Sequence, residues 1–191
     1  MRSTTKQDLL KLGLELLLTH GYTDLGLTKL LEQAGVPKGS FYHHFGSKEN
    51  FGLQAIDAYM EGVHAALDSA FGDDRREPLE QIQDFFNRVS AGYKGDGYLG
   101  CLLGGLGQEL SGVSPAFRKK VEACFSVIAK RFERALTRAR DNGQLREGAD
   151  PRELAELLVN CWEGAALRSR LRRSASPLRQ MLDFYFTAIT T

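Results

Sequence analysis

Residues 27–45 read LTKLLEQAGVPKGSFYHHF. Two short helices are predicted here, at about Leu27–Ala34 and Lys38–His44, because Gly35 and Pro37 interrupt the chain between them. Two short helices joined by a tight glycine-containing turn are typical of a helix-turn-helix. The stretch therefore predicts a small helical unit near the start of the chain.

The second of these helices has apolar residues on one face and hydrogen-bond donors on the other. Phe41 and Phe45 are four residues apart, so they lie on one face and can hold the helix against a core. The other positions are small or polar: Lys38, Gly39, Ser40, Tyr42, His43 and His44. A short helix of this kind is suited to entering the major groove of double-stranded DNA.

Several short motifs around this helix resemble the DNA-binding domain of the TetR family of repressors. They are His20-Gly21-Tyr22, Leu30–Lys38, Gly39–Phe45 and Ser47-Lys48-Glu49, and the resemblance covers about residues 4–50. It implies a transcriptional regulator, most often a repressor, that binds a palindromic DNA operator as a homodimer and leaves it when an effector is sensed.

The resemblance also implies roles for individual side chains. Lys38, Ser40 and His44 would face base edges, whereas phosphates would be held by Tyr42, His43, Lys48 and, in the first turn of the preceding helix, Thr28. One position departs from the family: Gly26 stands where a Ser or Thr cap is common, at a cost of a few tenths of a kcal/mol.

The whole chain is predicted to be all-α, with about nine helices and no internal repeat. Helical spacing recurs throughout, and alternating β-branched runs do not appear. The first helix is expected from about Thr4 to His20, and a long one from Ser47 to about Ala70. We expect a helix-turn-helix domain over 1–46 and a helical effector-binding and dimerisation domain over 47–191.

Three later helix starts are marked by a capping residue followed by proline: Ser114-Pro115, Asp150-Pro151 and Ser176-Pro177. The helices at about 151–173 and 177–190 are apolar on more than one face, so each needs partners on two sides. A four-helix bundle across a two-fold axis meets that need, and the resemblance implies the same arrangement. The alternative is a pair of ordinary core helices in a monomer.

The segment Gly92–Gly112 holds eight glycines in 21 residues. Any helix at about Cys101–Leu110 is therefore weak by itself, as expected of a movable element beside an effector site. Close helix packing and a flexible loop remain alternatives.

Cys101 would lie at the N-terminus of that weak helix, where backbone amides and the helix dipole favour a thiolate. The run Gly100-Cys101-Leu102 is similar to the electrophile-sensing branch of the TetR family, in which a cysteine at this place responds to reactive carbonyls, quinones or oxidants. The alternative is a cysteine that only packs or lines a pocket.

An effector pocket would be lined by aromatic or polar residues on otherwise apolar elements. The candidates are Phe86, Tyr93, Tyr98, Gln108, Phe125 and Trp162. The sequence names neither the operator, the effector nor the regulated genes.

Composition and the absence of certain motifs argue against several other classes of protein. The formal net charge of the 191 residues is only +1, which argues against a nonspecific nucleic-acid binder, since such proteins depend on phosphate neutralisation. His43 and His44 point about 100° apart on a helix, and the three cysteines lack ligand spacing, so no metal or other cofactor is indicated. No enzyme motif is present, and neither a signal peptide nor a membrane span is predicted, so we expect a cytoplasmic protein that is not an enzyme.

Overall fold

The computed structural model describes residues 6–190, which contain nine α-helices and no β-strand beyond one isolated bridge between Leu145 and Thr190. The all-α prediction is confirmed. The predicted start of the first helix at Thr4 lies outside the described residues. In chain order the helices are α1 (Lys6–His20), α2 (Leu27–Ala34), α3 (Lys38–Phe45), α4 (Lys48–Phe71), α5 (Pro78–Gly95), α6 (Leu102–Leu110), α7 (Pro115–Asp141), α8 (Pro151–Arg172) and α9 (Ser176–Ile189).

Three predicted helix starts are confirmed by their capping hydrogen bonds. The Ser47 hydroxyl accepts from the backbone N–H of Asn50 at 3.0 Å, and the Ser114 hydroxyl accepts from that of Phe117 at 3.3 Å. The Asp150 carboxylate accepts from the N–H groups of both Arg152 and Glu153. Each cap satisfies N–H groups that the first helical turn leaves without a partner.

The cap predicted at Ser176 is wrong. Ala175 is the N-cap of α9, and Ser176 is already the first helical residue. The hydroxyl of Ser174, two residues earlier, accepts from the backbone N–H of Ser176 at 3.2 Å. Helix α9 therefore begins at Ser176, one residue before Pro177.

The chain forms two compact units. The first comprises the residues up to Val63 together with Leu102–Glu122, and the second comprises His64–Cys101 and the residues from Ala123 onward. Helix α6 thus belongs to the same unit as the helix-turn-helix, which the sequence did not indicate. The predicted functional boundary at residue 46 stays a prediction.

The core of the first unit is a cluster of three phenylalanine rings. Phe41 and Phe45 of α3 and Phe51 of α4 are each at most 1% exposed, with ring centroids 4.9–5.2 Å apart. Gly13 of α1 lies directly against this cluster, because a Cβ atom built there would sit 2.2 Å from Cζ of Phe51. The close approach of α1 to α4 therefore depends on a residue without a side chain.

Helices α8 and α9 pack together in the second unit. The Tyr185 hydroxyl of α9 donates to the backbone carbonyl of Leu154 on α8 at 2.9 Å, so a buried polar group is satisfied within the core. Leu158 and Leu178 are fully buried in the same unit. One face of each helix therefore packs against the interior of the protomer.

We expect Gly13→Ala to destabilise the protein by about 1–3 kcal/mol, the usual cost of forcing one extra carbon into a packed core. Thermal unfolding followed by circular dichroism measures this. Gly62→Ala on α4 is the matched control, because a Cβ atom there meets nothing within 4 Å. Equal midpoints for the two variants would contradict the close packing of α1 on Phe51.

Candidate functional site

The turn between α2 and α3 is closed by backbone hydrogen bonds of the Schellman type. The N–H of Gly35 donates to the carbonyl of Glu32, and the N–H of Val36 donates to that of Leu31 at 3.0 Å. Gly35 has φ +65°, the left-handed conformation that favours glycine. The turn therefore fixes the direction in which α3 leaves α2.

Helix α3 presents opposite faces to the interior and to solvent. Phe41 is 0% exposed, whereas its neighbour Tyr42 is 43% exposed, with its ring edge against that of Phe41. Of the predicted DNA-contacting residues in α3, Lys38, Gly39, Tyr42 and His43 are exposed, and Ser40 and His44 are partly exposed. The geometry leaves the polar face of the helix open to a partner.

Lys48 lies at the first position of α4 and is held by the turn between α1 and α2. Its Nζ lies 3.5 Å from the carbonyl oxygen of Thr23 and 4.7 Å from the ring centroid of Tyr22. Burial lowers the pKa of Lys48, while the nearby carboxylates of Glu109 and Asp24 act in the opposite direction. The amine therefore lies against the turn between α1 and α2. Thr28, the other predicted contact outside α3, is exposed on α2.

Glu109 of α6 holds the same turn, and sequence analysis missed it. Its carboxylate accepts from the backbone N–H of Tyr22 at 2.8 Å and from that of Thr23 at 2.5 Å. Although burial acts to raise the pKa of Glu109, the hydrogen bonds from Thr23 and from the backbone of Tyr22 hold it below its ordinary value. The contact joins residues 86 and 87 positions apart, so no local pattern signals it.

Cys101 immediately precedes α6, as predicted, and its thiol is hydrogen-bonded to the carboxyl group of Glu163 on α8. Both side chains are partly buried. Burial raises the pKa of Glu163 to about 7, and the hydrogen bond from Cys101 opposes that rise only in part. The sequence shows no base beside the cysteine, because the two residues are 62 positions apart in the chain.

This pair has a defined chemistry. A thiol has an ordinary pKa near 8.5, so a carboxylate with a pKa of about 7 is a much better matched proton acceptor than a carboxylate in water. Above pH 7 Glu163 can take the thiol proton as a carbon–sulfur bond forms. Below pH 7 it is protonated and cannot. The arrangement can therefore activate Cys101 as a nucleophile.

The segment leading to Cys101 has an unusual backbone. Gly97, Tyr98 and Gly100 all have positive φ, and for Tyr98, at +62°, this conformation is costly. Two arginines of α8 and its C-terminus support the segment: Nη1 of Arg173 donates to the carbonyl of Gly97 at 2.6 Å, and a Cβ atom at Gly100 would lie 3.8 Å from Cδ of Arg170. Strain of this kind persists where surrounding contacts impose it, often at functional sites.

The structure brings together four of the six predicted pocket residues, three through their rings and one through its backbone. Trp162 lies 4.4 Å from Phe86 and 6.0 Å from Tyr93 between ring centroids, and Phe86 also stacks on Phe132 at 5.0 Å. Tyr98 joins them through its backbone N–H, which donates to the carbonyl of Tyr93.

Phe125 is a partly buried residue of α7, and Gln108 is exposed on α6 in the other compact unit. A cleft of about 510 Å³ along residues 145–151 and Arg140 contains none of the six predicted residues.

Helix α8 carries a second apolar stripe, opposite the one that packs inward. Leu157, Leu167 and Leu171 are 49%, 41% and 67% exposed, and Phe184 of α9 is 76% exposed. Gly164 falls on the stripe between the leucines, and a Cβ atom there would meet nothing within 4 Å. Large apolar side chains left in water on two adjacent helices indicate an interface.

Neither a metal site nor a membrane-spanning helix is found within residues 6–190. No group of three His, Cys, Asp or Glu side chains in this range could hold a metal ion. None of the helices there is both long enough and apolar enough to cross a lipid bilayer.

Fold and site together define a helix-turn-helix DNA-binding regulator with a separate helical module. Two family models match the chain: the model of bacterial regulatory proteins of the tetR family over residues 9–54, and that of the tetracyclin repressor-like C-terminal domain over residues 78–185. The protein therefore belongs to the TetR family of transcriptional regulators, which bind DNA operators and dimerise.

Curated relatives and solved structures agree with this assignment. The transcriptional regulator AcuR of Cereibacter sphaeroides is 37% identical over 92% of this chain and 81% of its own. The transcriptional repressor NemR of Escherichia coli is 30% identical over 98% and 94%, and its reduced form superposes with a TM-score of 0.84 over 96% of each chain. A crystal structure of regulatory protein TetR from Rhodobacter sphaeroides gives 35% identity and a TM-score of 0.93 over 98% of this chain and 100% of its own.

We expect the alkylation rate of Cys101 by N-ethylmaleimide to rise as pH increases through about 7, because Glu163 must be ionised to accept the thiol proton. Glu163→Gln should remove this inflection and slow the reaction at pH 8 by roughly tenfold. Mass spectrometry of the peptide containing Cys101, sampled over time from pH 6 to 8.5, measures both.

Glu156→Gln, which removes an exposed carboxylate from the same helix, is the matched control and should behave as the unmodified protein does. Faster alkylation of Glu163→Gln would mean that Glu163 only repels a thiolate, and would contradict a proton-accepting role.

Proposed function

We propose that this protein is a homodimeric repressor that leaves a palindromic operator when a small electrophile reacts with Cys101. The observation that carries the proposal is the hydrogen bond between the Cys101 thiol and Glu163, placed directly before α6. Repression is supported by the name of its relative NemR, a transcriptional repressor whose solved structure is of a reduced form. The site of action is the cytoplasm, where the chromosomal DNA of a bacterium lies.

The DNA contacts would be made by α3 and by the start of α4. Lys38, Ser40 and His44 on α3 would face base edges, while Tyr42, His43, Lys48 and Thr28 would hold phosphates. The exposed polar face of α3 and the anchored amine of Lys48 support these roles. Gly39 is also exposed, and no atom of the protein lies within 4 Å of a Cβ built there, so close approach of DNA is a reason for glycine at that position.

The dimer would form through α8 and α9. Their second apolar faces, centred on Leu171 and Phe184, would be buried in a four-helix bundle across a two-fold axis. Gly164 would allow the two copies of α8 to approach closely at their crossing. A dimer presents two recognition helices to half-sites one DNA turn apart, about 34 Å, or a multiple of it.

The chemical step would be addition of the Cys101 sulfur to an electron-poor carbon, such as the β-carbon of an unsaturated carbonyl compound or a quinone carbon. The sulfur lone pair forms the new bond, and the π electrons of the attacked double bond move toward the carbonyl oxygen. The thiol proton passes to Glu163 and then to the adduct, so no oxidant is required. A flat, apolar electrophile would sit against the aromatic cluster of Phe86, Tyr93 and Trp162 only after the buried rings of Phe86 and Trp162 separate.

A second candidate is release by noncovalent binding at the same aromatic cluster. Phe86 and Trp162 are in close contact in this structure, so a ligand there would need to separate them. In that case Cys101 would only line the pocket.

The dimer proposal predicts that Phe184→Glu gives a monomer, because a carboxylate would have to be buried in the apolar interface. Light scattering after gel filtration measures the mass, and operator affinity should fall by roughly 100-fold or more as the two half-sites are no longer bound together. Val127→Glu is the matched control, since Val127 is likewise an exposed apolar residue, at 41%, but lies on α7. A dimeric Phe184→Glu would exclude α9 from the interface.

The sensing proposal predicts that p-benzoquinone releases the unmodified protein from its operator but leaves Cys101→Ser bound. Gel shifts on the DNA upstream of its own gene test this, and Cys161→Ser should still be released. Release that persists in Cys101→Ser would favour the noncovalent candidate, and failure to shift the DNA at all would contradict binding at that site.

A further inference from the structure

Glu109 of α6 binds the turn between α1 and α2, within the DNA-binding head (α1 to α3 and the start of α4). Glu109 accepts two backbone N–H donors in the turn between α1 and α2, at 2.8 and 2.5 Å, together with a side-chain hydrogen bond from Thr23. Its Oε2 would be 2.8 Å from a Cβ at Gly21, which has φ +77°, so the carboxylate lies tightly against the turn. A carboxylate with several donors is a strong and directional contact.

The same turn positions Lys48. The Thr23 carbonyl faces the Lys48 amine at 3.5 Å, and the Tyr22 ring lies 4.7 Å below it. The Tyr22 ring in turn contacts Phe117 of α7 edge to face, with centroids 5.0 Å apart. Moving the turn therefore moves the partners of the lysine that begins α4.

The remaining charged groups around the turn do not replace this contact. Glu49 accepts from the Ser114 hydroxyl at 2.7 Å and acts on Tyr22 only through its charge, and Lys120 pairs with Asp57. Asp24 acts on Lys48 through its charge, and His20 contacts Lys29 at 3.3 Å. Glu109 is thus the acidic group that joins α6 to the backbone of Tyr22 and Thr23.

We propose that Glu109 is a positioning residue of the DNA-binding head: by holding the turn between α1 and α2 it sets operator affinity without touching DNA. This deepens the proposed function and in part rests on it, because α6 begins directly after Cys101. A displacement of α6 on reaction of Cys101 would pull the carboxylate from the turn and release Lys48 and the recognition helix from their DNA-binding arrangement.

The test compares Glu109→Ala and Glu109→Gln with the intact protein on an operator selected from random DNA. Loss of positioning should weaken binding of Glu109→Ala about tenfold, whereas removal of one negative charge alone would strengthen DNA binding. Glu109→Gln keeps one carbonyl acceptor and should lie between the two. The slope of log affinity against log salt should become shallower by at most about one, since the proposed phosphate contact of Lys48 weakens when its turn moves.

Hydrogen exchange supplies a readout that does not depend on DNA. The amides of Tyr22 and Thr23 should exchange about tenfold faster in Glu109→Ala, because their hydrogen bonds are gone. Glu61→Ala, which removes an exposed carboxylate of α4 in the same unit, should change neither exchange nor affinity. Equal or tighter operator binding by Glu109→Ala, or unchanged exchange at Tyr22 and Thr23, would overturn the proposal.

A final arm separates this inference from the sensing role of Cys101. N-ethylmaleimide on the intact protein should accelerate exchange at Tyr22 and Thr23, and this effect should be absent in Cys101→Ser. If modification leaves these amides unchanged while Glu109→Ala still binds DNA weakly, the positioning role stands and the link to Cys101 fails. If Glu109→Ala does not fold, as judged by circular dichroism, Glu109→Gln decides the same comparison.

Discussion

Three phenylalanine rings pack beneath α3 and form the core of the first unit. Phe41 and Phe45 occupy one face of an eight-residue helix, and Phe51 brings the start of α4 against them. A helix this short has little stability by itself. Burial of these rings keeps α3 folded and leaves its polar residues at the surface, so the same contact that stabilises the head also exposes its donors.

Two carboxylates make the main polar contacts described above: Glu163 beside Cys101, and Glu109 at the turn between α1 and α2. Each is a carboxylate that reaches a distant partner: Glu163 the thiol of Cys101, and Glu109 the backbone of Tyr22 and Thr23. Their environments act in opposite directions, since burial raises the pKa of Glu163 while hydrogen bonds lower that of Glu109. The first can therefore exchange a proton near neutral pH, and the second stays ionised as a fixed structural anion.

The sequence was sufficient to predict the helices, because their signals are local. Caps at Ser47, Ser114 and Asp150 and the turn at Gly35 act within a few residues, and the structure confirms each of them. The prediction at Ser176 was wrong because Ser174 also precedes the proline, and its hydroxyl accepts from the N–H of Ser176, which is already helical.

Long-range partners could not be predicted in this way. Three contacts join residues that are far apart in the chain: Gly13 with Phe51, Cys101 with Glu163, and Glu109 with the backbone of Tyr22. Periodicity places a residue on a face of its helix but does not say which helix lies opposite. The grouping of α6 with the head follows from such contacts, and no composition shift marks it.

The shortness of α3 limits how much sequence one protomer can read. Eight residues span about 12 Å of helix axis, which matches only three or four base-pair steps of about 3.4 Å. Phe41 and Phe45 occupy the inner face, so at most six of its residues could face DNA. On the proposed docking, two such helices would read too few base pairs to specify a unique operator in a chromosome, and DNA shape and groove width at uncontacted positions would contribute to operator choice.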